Sequence, residues 1–191
     1  MQKTAITAAP VLPVIAERWS PRAYDENYEI SQHDLLSILE AGRWAPSANN
    51  GQPWRFSVIT KNDKLAEATL AAFGRNADWG KRASAHIVIS AKNVKEDGTP
   101  WHTAQFDSGL AAQNMMLQAA ELGLNAHPIG GIDRDALREV LSIPADQDIV
   151  IALVIGKRAD ASVLEGSPAY ERELQARARH DLDDVMHYGK P

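Results

Sequence analysis

The sequence predicts one layered domain that mixes α-helix with β-strand. Three observations carry this. Apolar residues recur at helical spacing in some segments and alternate or run continuously in others, and the two kinds of segment take turns along the chain. The run DIVIALVIG at 148–156 is hydrophobic on both faces, as a strand inside a sheet must be. No repeat, low-complexity tract or linker divides the 191 residues, a length that suits one substantial domain.

Residues 1–15 are apolar but interrupted by Pro10 and Pro13, with Lys3 as the only charge. They fit neither a signal peptide nor a membrane span, and read as a flexible arm or docking segment ahead of a domain at 16–191. Residues 31–44 form a helix: Ser31 is a good N-cap, Leu35, Leu36, Ile38 and Leu39 recur at helical spacing, and Pro46 ends it. RFSVIT at 55–60 alternates and is a strand. Asn62 caps a second helix reaching about Phe73, and AHIVISA at 85–91 is a buried strand. Residues 103–123 make the strongest helix, with apolar and small residues on nearly every side, so it is expected to be buried all round, within one subunit or between two. A strand at 125–129, a turn at Gly130-Gly131, a helix capped by Asp133, the strand at 148–156 and a charged helix at 168–179 complete the order.

The net charge is −5, so the chain as a whole carries no nucleic-acid footprint. Cysteine is absent, which removes disulfides, thiolate metal sites and a catalytic thiol. The histidines are scattered without metal-ligand spacing, and no metal site is expected. There is no nucleophile elbow, zinc helix, phosphate loop or dinucleotide fingerprint; residues 74–81 come near a phosphate loop but have one residue too many. These absences favour chemistry carried by a bound cofactor, with no side chain as obligatory acid or base. A cytoplasmic protein is the default expectation.

Three local features stand out. Arg18-Trp19-Ser20-Pro21-Arg22 puts two guanidinium groups and a hydroxyl within five residues, a set that can grip a phosphate. Taken alone it is as readily a solvated turn. The loop from Trp44 through Pro46, Ser47, Ala48, Asn49, Asn50, Gly51 and Gln52 to Trp54 is rigid and rich in amide and hydroxyl groups, suited to the polar edge of a flat heterocycle or simply to self-satisfaction. Arg177 and Arg179 add two cations near the end, or merely charge a helix terminus.

Together the first two features resemble the N-terminal signature of the nitroreductase family: an R-x-S-x-R element, a helix, then a loop reading A-P-S-x-x-N-x-Q-P-W, here 45–54. The similarity continues through Asp107-x-Gly109, Pro128-Ile129-Gly130-Gly131, the strand ending at Gly156, and Arg177-x-Arg179. The resemblance implies a three-layer α/β/α fold around a mixed, mainly antiparallel sheet, with the long helix at the core of a homodimer. It implies FMN at the subunit interface and hydride transfer from NAD(P)H through the flavin, in a ping-pong cycle, to a nitroaromatic, quinone or activated alkene. An oxygen-dependent flavin-consuming or dehalogenase-like relative, or a non-catalytic flavin binder, is the alternative. By the same resemblance Arg18, Trp19, Ser20, Arg22, Arg177 and Arg179 bind the FMN, with the arginines and Ser20 on its phosphate. Pro46, Ser47, Ala48, Asn50 and Gln52 reach the flavin from the partner subunit. Pro128, Ile129, Gly130 and Gly131 set a backbone N–H against the ring, and Asn76 contacts it. Trp19 stands where the family often has Arg or His, and Gly130-Gly131 where it often has an acid.

Overall fold

A four-stranded antiparallel sheet forms the middle layer of the computed structural model, which describes residues 3–190. Met1 and Gln2 of the expected arm, and Pro191 at the end of the expected domain, lie outside the described residues. In chain order the elements are α1 (Pro13–Glu17), α2 (Gln32–Arg43), β1 (Trp54–Thr60), α3 (Ala66–Ala71), α4 (Ala77–Gly80), β2 (Ala85–Lys92), α5 (Ala104–Glu121), β3 (Asn125–Ile129), α6 (Arg134–Val140), β4 (Gln147–Gly156), α7 (Pro168–Leu174) and α8 (Leu182–Val185). The strand order is β1-β2-β4-β3, which seats the apolar run of β4 inside the sheet as its two-faced pattern requires. The sequence allowed for a mixed sheet; every strand pair among the described residues is antiparallel.

The period of two along β2 and β4 sorts the core into two faces. Val88, Ala152 and Val154 point to one side, where they pack with Phe73, Trp79 and Leu137 from the α3, α4 and α6 layer. Ile87, Ile89, Leu153 and Ile155 point to the other, against Ile38 of α2 and Met115 of α5. The result is the α/β/α layering the resemblance implied. Ser31 Oγ accepts from the Asp34 N–H at 3.0 Å and Asp133 from the Ala136 N–H at 3.0 Å, so both expected helix caps are made.

Two expectations are corrected. Asn62 does not cap a helix: residues 61–65 form turns in which Asp63 accepts from the Leu65 N–H, and α3 begins at Ala66. The C-terminal helix stops at Leu174, and Gln175 turns extended, because the carbonyls of Glu173 and Gln175 are taken by the ammonium of Lys3. Within one chain helix α5 has one buried face and one exposed face. Ala104, Asp107, Ser108, Ala111, Met115 and Ala119 face inward, while Phe106, Gly109 and Gln113 form an exposed face, with Phe106 70% exposed.

Candidate active site at the free edge of β3

The segment preceding α2 runs along the β3 side of the sheet. His127, in the middle of β3, donates its Nδ1–H to the Pro21 carbonyl at 2.8 Å, which fixes Arg18-Trp19-Ser20-Pro21-Arg22 beside the strand. The His127 ring lies 4.6 Å from that of Trp79. Burial, the main cause, together with the nearby charges of Arg22 and Arg18, pulls its pKa down to about 4 against the opposing hydrogen bond.

The cations gather here. Arg18 is half-buried, and its Nη1 donates to Ser20 Oγ at 3.4 Å. Its pKa is lowered by burial and then by the positive charges of Arg177 and Arg179. Arg22 is held down by burial and Arg172, and supported by Glu173, whose carboxylate also accepts the Arg22 N–H at 2.7 Å. Among the described residues, none of Arg18, Arg22, Arg177 and Arg179 has a carboxylate within salt-bridge distance. Like charges brought together and half-desolvated need an anion to be favourable.

Trp19 is buried, with the Lys3 ammonium 4.3 Å and the Arg158 guanidinium 5.9 Å from its ring. It is a packing plate beneath the cations. Arg177 donates from Nη1 to the carbonyls of Lys3 and Ala16 at 2.7 and 2.6 Å. Lys3 and Ala16 are thereby tied to the segment that follows α7. Arg179 is exposed and donates to the Ala178 carbonyl.

The strand end carries the backbone part of the site. Pro128 and Ile129 close β3, and Gly130 and Gly131 follow, both exposed. Neither glycine has a positive φ, and nothing of the chain lies within 4 Å of where a Cβ would sit on either. Neither a positive φ nor internal packing demands glycine there, and the backbone lies open to close approach. Asn76 is brought to the same place, its Nδ2 donating to the Gly131 carbonyl at 3.3 Å. A cavity of about 230 Å³ opens between Arg22, Asn76, Trp79, Ser167 and Arg172.

The loop 46–52 lies elsewhere. It leads into β1, at the opposite edge of the sheet from β3. Three interstrand steps of about 4.8 Å separate the edges by roughly 14 Å. Its ends are pinned where Ala45 and Trp54 pack on Ala111 of α5. Pro46, Ala48, Asn49, Asn50, Gly51 and Gln52 are exposed, and Ser47 is partly so. Asn49, Asn50 and Gln52 adopt φ of 53°, 55° and 53°, while Gly51 has an ordinary −70°. Glycine stands there for another reason: a Cβ would sit 2.3 Å from the ring of Trp101. Ser47 Oγ accepts from the Gln52 N–H, and Gln52 Nε2 donates to the Asn50 carbonyl. A wider cavity of about 780 Å³ borders this loop, lined by Gln52, Arg55, Lys92 and Trp101. Cationic side chains stand at both places, Arg55, Lys92 and Lys95 around this cavity and Arg18, Arg22, Arg177 and Arg179 at the β3 edge.

Two residues of the site were not singled out in the sequence as site residues. Asp107, buried in α5, accepts from the Ala48 N–H at 3.3 Å and the Thr103 hydroxyl at 3.1 Å, tying the loop to the helix. An acid inside the small-residue stripe Ala104, Asp107, Ser108, Ala111 was the available signal. Glu173 and its partner Lys3 gave none, since they meet across 170 positions. Among the described residues no group of three or more His, Asp or Glu converges as a metal site.

Comparison with known proteins agrees with the geometry. The family model described as "Nitroreductase family" matches residues 15–157. A Bacillus subtilis (strain 168) protein with the provisional name NAD(P)H nitroreductase YdgI is 30% identical, over 87% of this chain and 95% of its own. A solved structure described as an oxidoreductase containing FMN is 35% identical and superposes with a TM-score of 0.91, covering 97% of this chain and 94% of that one. A Desulfovibrio desulfuricans protein provisionally named a nitroreductase, solved in complex with FMN, is 27% identical with a TM-score of 0.75, over 97% and 100% of the two chains. Fold and site define an oxidoreductase of the NAD(P)H-dependent nitroreductase type. The chain belongs to the nitroreductase family.

Proposed function

We propose that two copies of this chain bind FMN at their interface and transfer a hydride from NAD(P)H to an electron-poor acceptor, with donor and acceptor occupying the site in turn. A nitroaromatic, a quinone or an activated alkene suits as acceptor. The carrying observation is the group of Arg18, Arg177 and Arg179, converging without a carboxylate in a chain of net charge −5. A phosphate dianion is the counterion such a cradle fits. When bound, the flavin supplies the redox chemistry.

The chain's own residues do the rest. Arg18, Ser20 and Arg22, with Arg177 and Arg179, hold the phosphate. The open backbone at Gly130 and Gly131 lets the ring come close and offers it N–H groups, with Asn76 steadying the turn through the Gly131 carbonyl. The loop of Pro46, Ser47, Ala48, Asn50 and Gln52 sits at the wrong edge of the sheet to reach a ligand in its own cradle. In a homodimer it serves the partner's cradle and helps to exclude water there. The exposed α5 face with Phe106, and exposed Leu36 and Trp44 by α2, supply apolar surface for that pairing. Its electron donor is a cytoplasmic metabolite, and we place the protein in that compartment. No helix among the described residues is long and apolar enough to cross a membrane.

Purified protein tests the reading. A yellow protein whose colour bleaches on anaerobic addition of NADH or NADPH, and returns with an acceptor, is expected. One that takes up no FMN overturns it, and one that binds FMN but is not bleached by either nicotinamide is a flavin binder without this turnover. Light scattering should give about twice the 20.9 kDa chain mass.

A further inference from the structure

The cradle is braced from a distance. Lys3 is buried, although a lysine near a chain end is ordinarily solvated. Its ammonium donates to the carbonyls of Glu173 and Gln175 and lies over the Trp19 ring, with the Glu173 carboxylate as its attracting neighbour. Its own carbonyl accepts from Arg177 Nη1, and the Ala16 carbonyl accepts both that donor and the Ala5 N–H. Glu173 in turn fixes the Arg22 backbone. Residues 3–5, 16–22 and 173–177 are thus joined in one clasp that carries Arg18 and Arg22 and binds Arg177 through its own guanidinium.

We propose that Lys3 is a positioning residue for the phosphate end of the cofactor: it holds Arg177 and, through Glu173, Arg22 in the places from which the cradle closes on a dianion. This rests on the FMN reading above. Arg18, Arg177 and Arg179 repel one another, so without a brace they spread, and gathering them again costs affinity at the moment of binding. The cost falls on a phosphorylated flavin alone, because the ring contacts at Gly130 and in the loop 46–52 do not touch the clasp.

The test compares FMN with riboflavin, which has the ring but no phosphate, by fluorescence titration of the apoprotein. Wild type should bind FMN far more tightly than riboflavin. In Lys3→Met that preference should shrink on the order of tenfold through weaker FMN binding, with riboflavin unchanged. Lys3→Arg should restore most of it, since a guanidinium can meet the same carbonyls. A Lys3→Met protein with wild-type preference overturns the proposal, and so does one that loses both ligands in equal proportion, the mark of general damage. Lys3 lies outside both apolar clusters, so the sheet should survive; should Lys3→Met be recovered unfolded, a chain beginning at Ile6 removes the clasp and is read the same way. A wild type with no preference for FMN breaks the phosphate reading itself, a result distinct from failure of the Lys3 role.

Discussion

The β3 edge and the loop before β1 are built in opposite ways. The β3 edge is charged, half-buried and held by long-range hydrogen bonds: His127 to Pro21, Glu173 to Arg22, Arg177 to Lys3 and Ala16. The loop is nearly neutral, exposed at its tip, and held in a backbone shape that non-glycine residues rarely adopt. One region gathers like charges. The other keeps a backbone shape that is costly for non-glycine residues. On the dimeric FMN reading proposed above, an anion would answer the first and a second subunit the second.

The sharpest way to break this contrast is to empty the cradle. Arg18→Ala combined with Arg22→Ala removes two charge-assisted contacts, each worth about 1.5–3 kcal/mol. FMN affinity should fall by at least about a hundredfold by titration, while the melting temperature of the apoprotein stays level or rises as repulsion is relieved. Unchanged FMN affinity would remove the phosphate assignment.

Acid should attack the same region first. His127 has a folded pKa of about 4 against an ordinary value of 6.5, so the unfolded chain binds the extra proton between those values. Stability is therefore full above pH 6.5 and declines as pH falls toward 4, by roughly 3 kcal/mol over the window. His86, buried beside Phe73 with its pKa also lowered, adds loss of the same sign. Urea melts across this range should show the slope, and His127→Asn should flatten part of it. Amide exchange should report the Arg22 N–H, held by Glu173, losing protection before the Gln52 N–H, held by Ser47; the reverse order would contradict a role for His127 in holding this segment.

How far the sequence disclosed this design depends on the span of each interaction. Caps made within three residues, at Ser31 and Asp133, were readable, as were the periods of α2, β2 and β4. The layered fold follows from those local patterns, and the R-x-S-x-R and A-P-S-x-x-N-x-Q-P-W segments are contiguous, so the cradle and loop could be listed before being located. What failed was non-local. The tail looked helical to Arg179 because nothing near it reveals that Lys3 takes its carbonyls. Asn62 looked like a cap because its neighbour Asp63 competes for the same backbone and wins.

Loosening the loop at its anchor should have a middling effect. Asp107→Ala leaves the Ala48 N–H and the Thr103 hydroxyl without their acceptor, at a cost of about 1–3 kcal/mol in thermal or urea unfolding. If the loop serves the partner's cradle, flavin affinity should weaken for FMN and riboflavin alike. The ratio between them is the diagnostic: Asp107→Ala should preserve it where Lys3→Met erodes it. A change of ratio in Asp107→Ala would mean that loop and cradle are not separate devices.

The smallest effect expected is also the one that turns on strain alone. Gln52 sits at φ 53° immediately before Pro53, in a region that asparagine tolerates better than glutamine does. Its amide donates to the Asn50 carbonyl, a single exposed hydrogen bond of small net worth. Gln52→Gly relieves the strain and loses that bond and some chain entropy in the unfolded state, so the apoprotein should gain only about 0.5 kcal/mol or break even. Flavin binding should nevertheless weaken, because a relaxed loop no longer presents its polar groups in a fixed shape to the neighbouring subunit. A variant both less stable and equally tight for flavin would show that the left-handed backbone at 52 is neither strained nor functional, and the loop would then be an ordinary connection between α2 and β1.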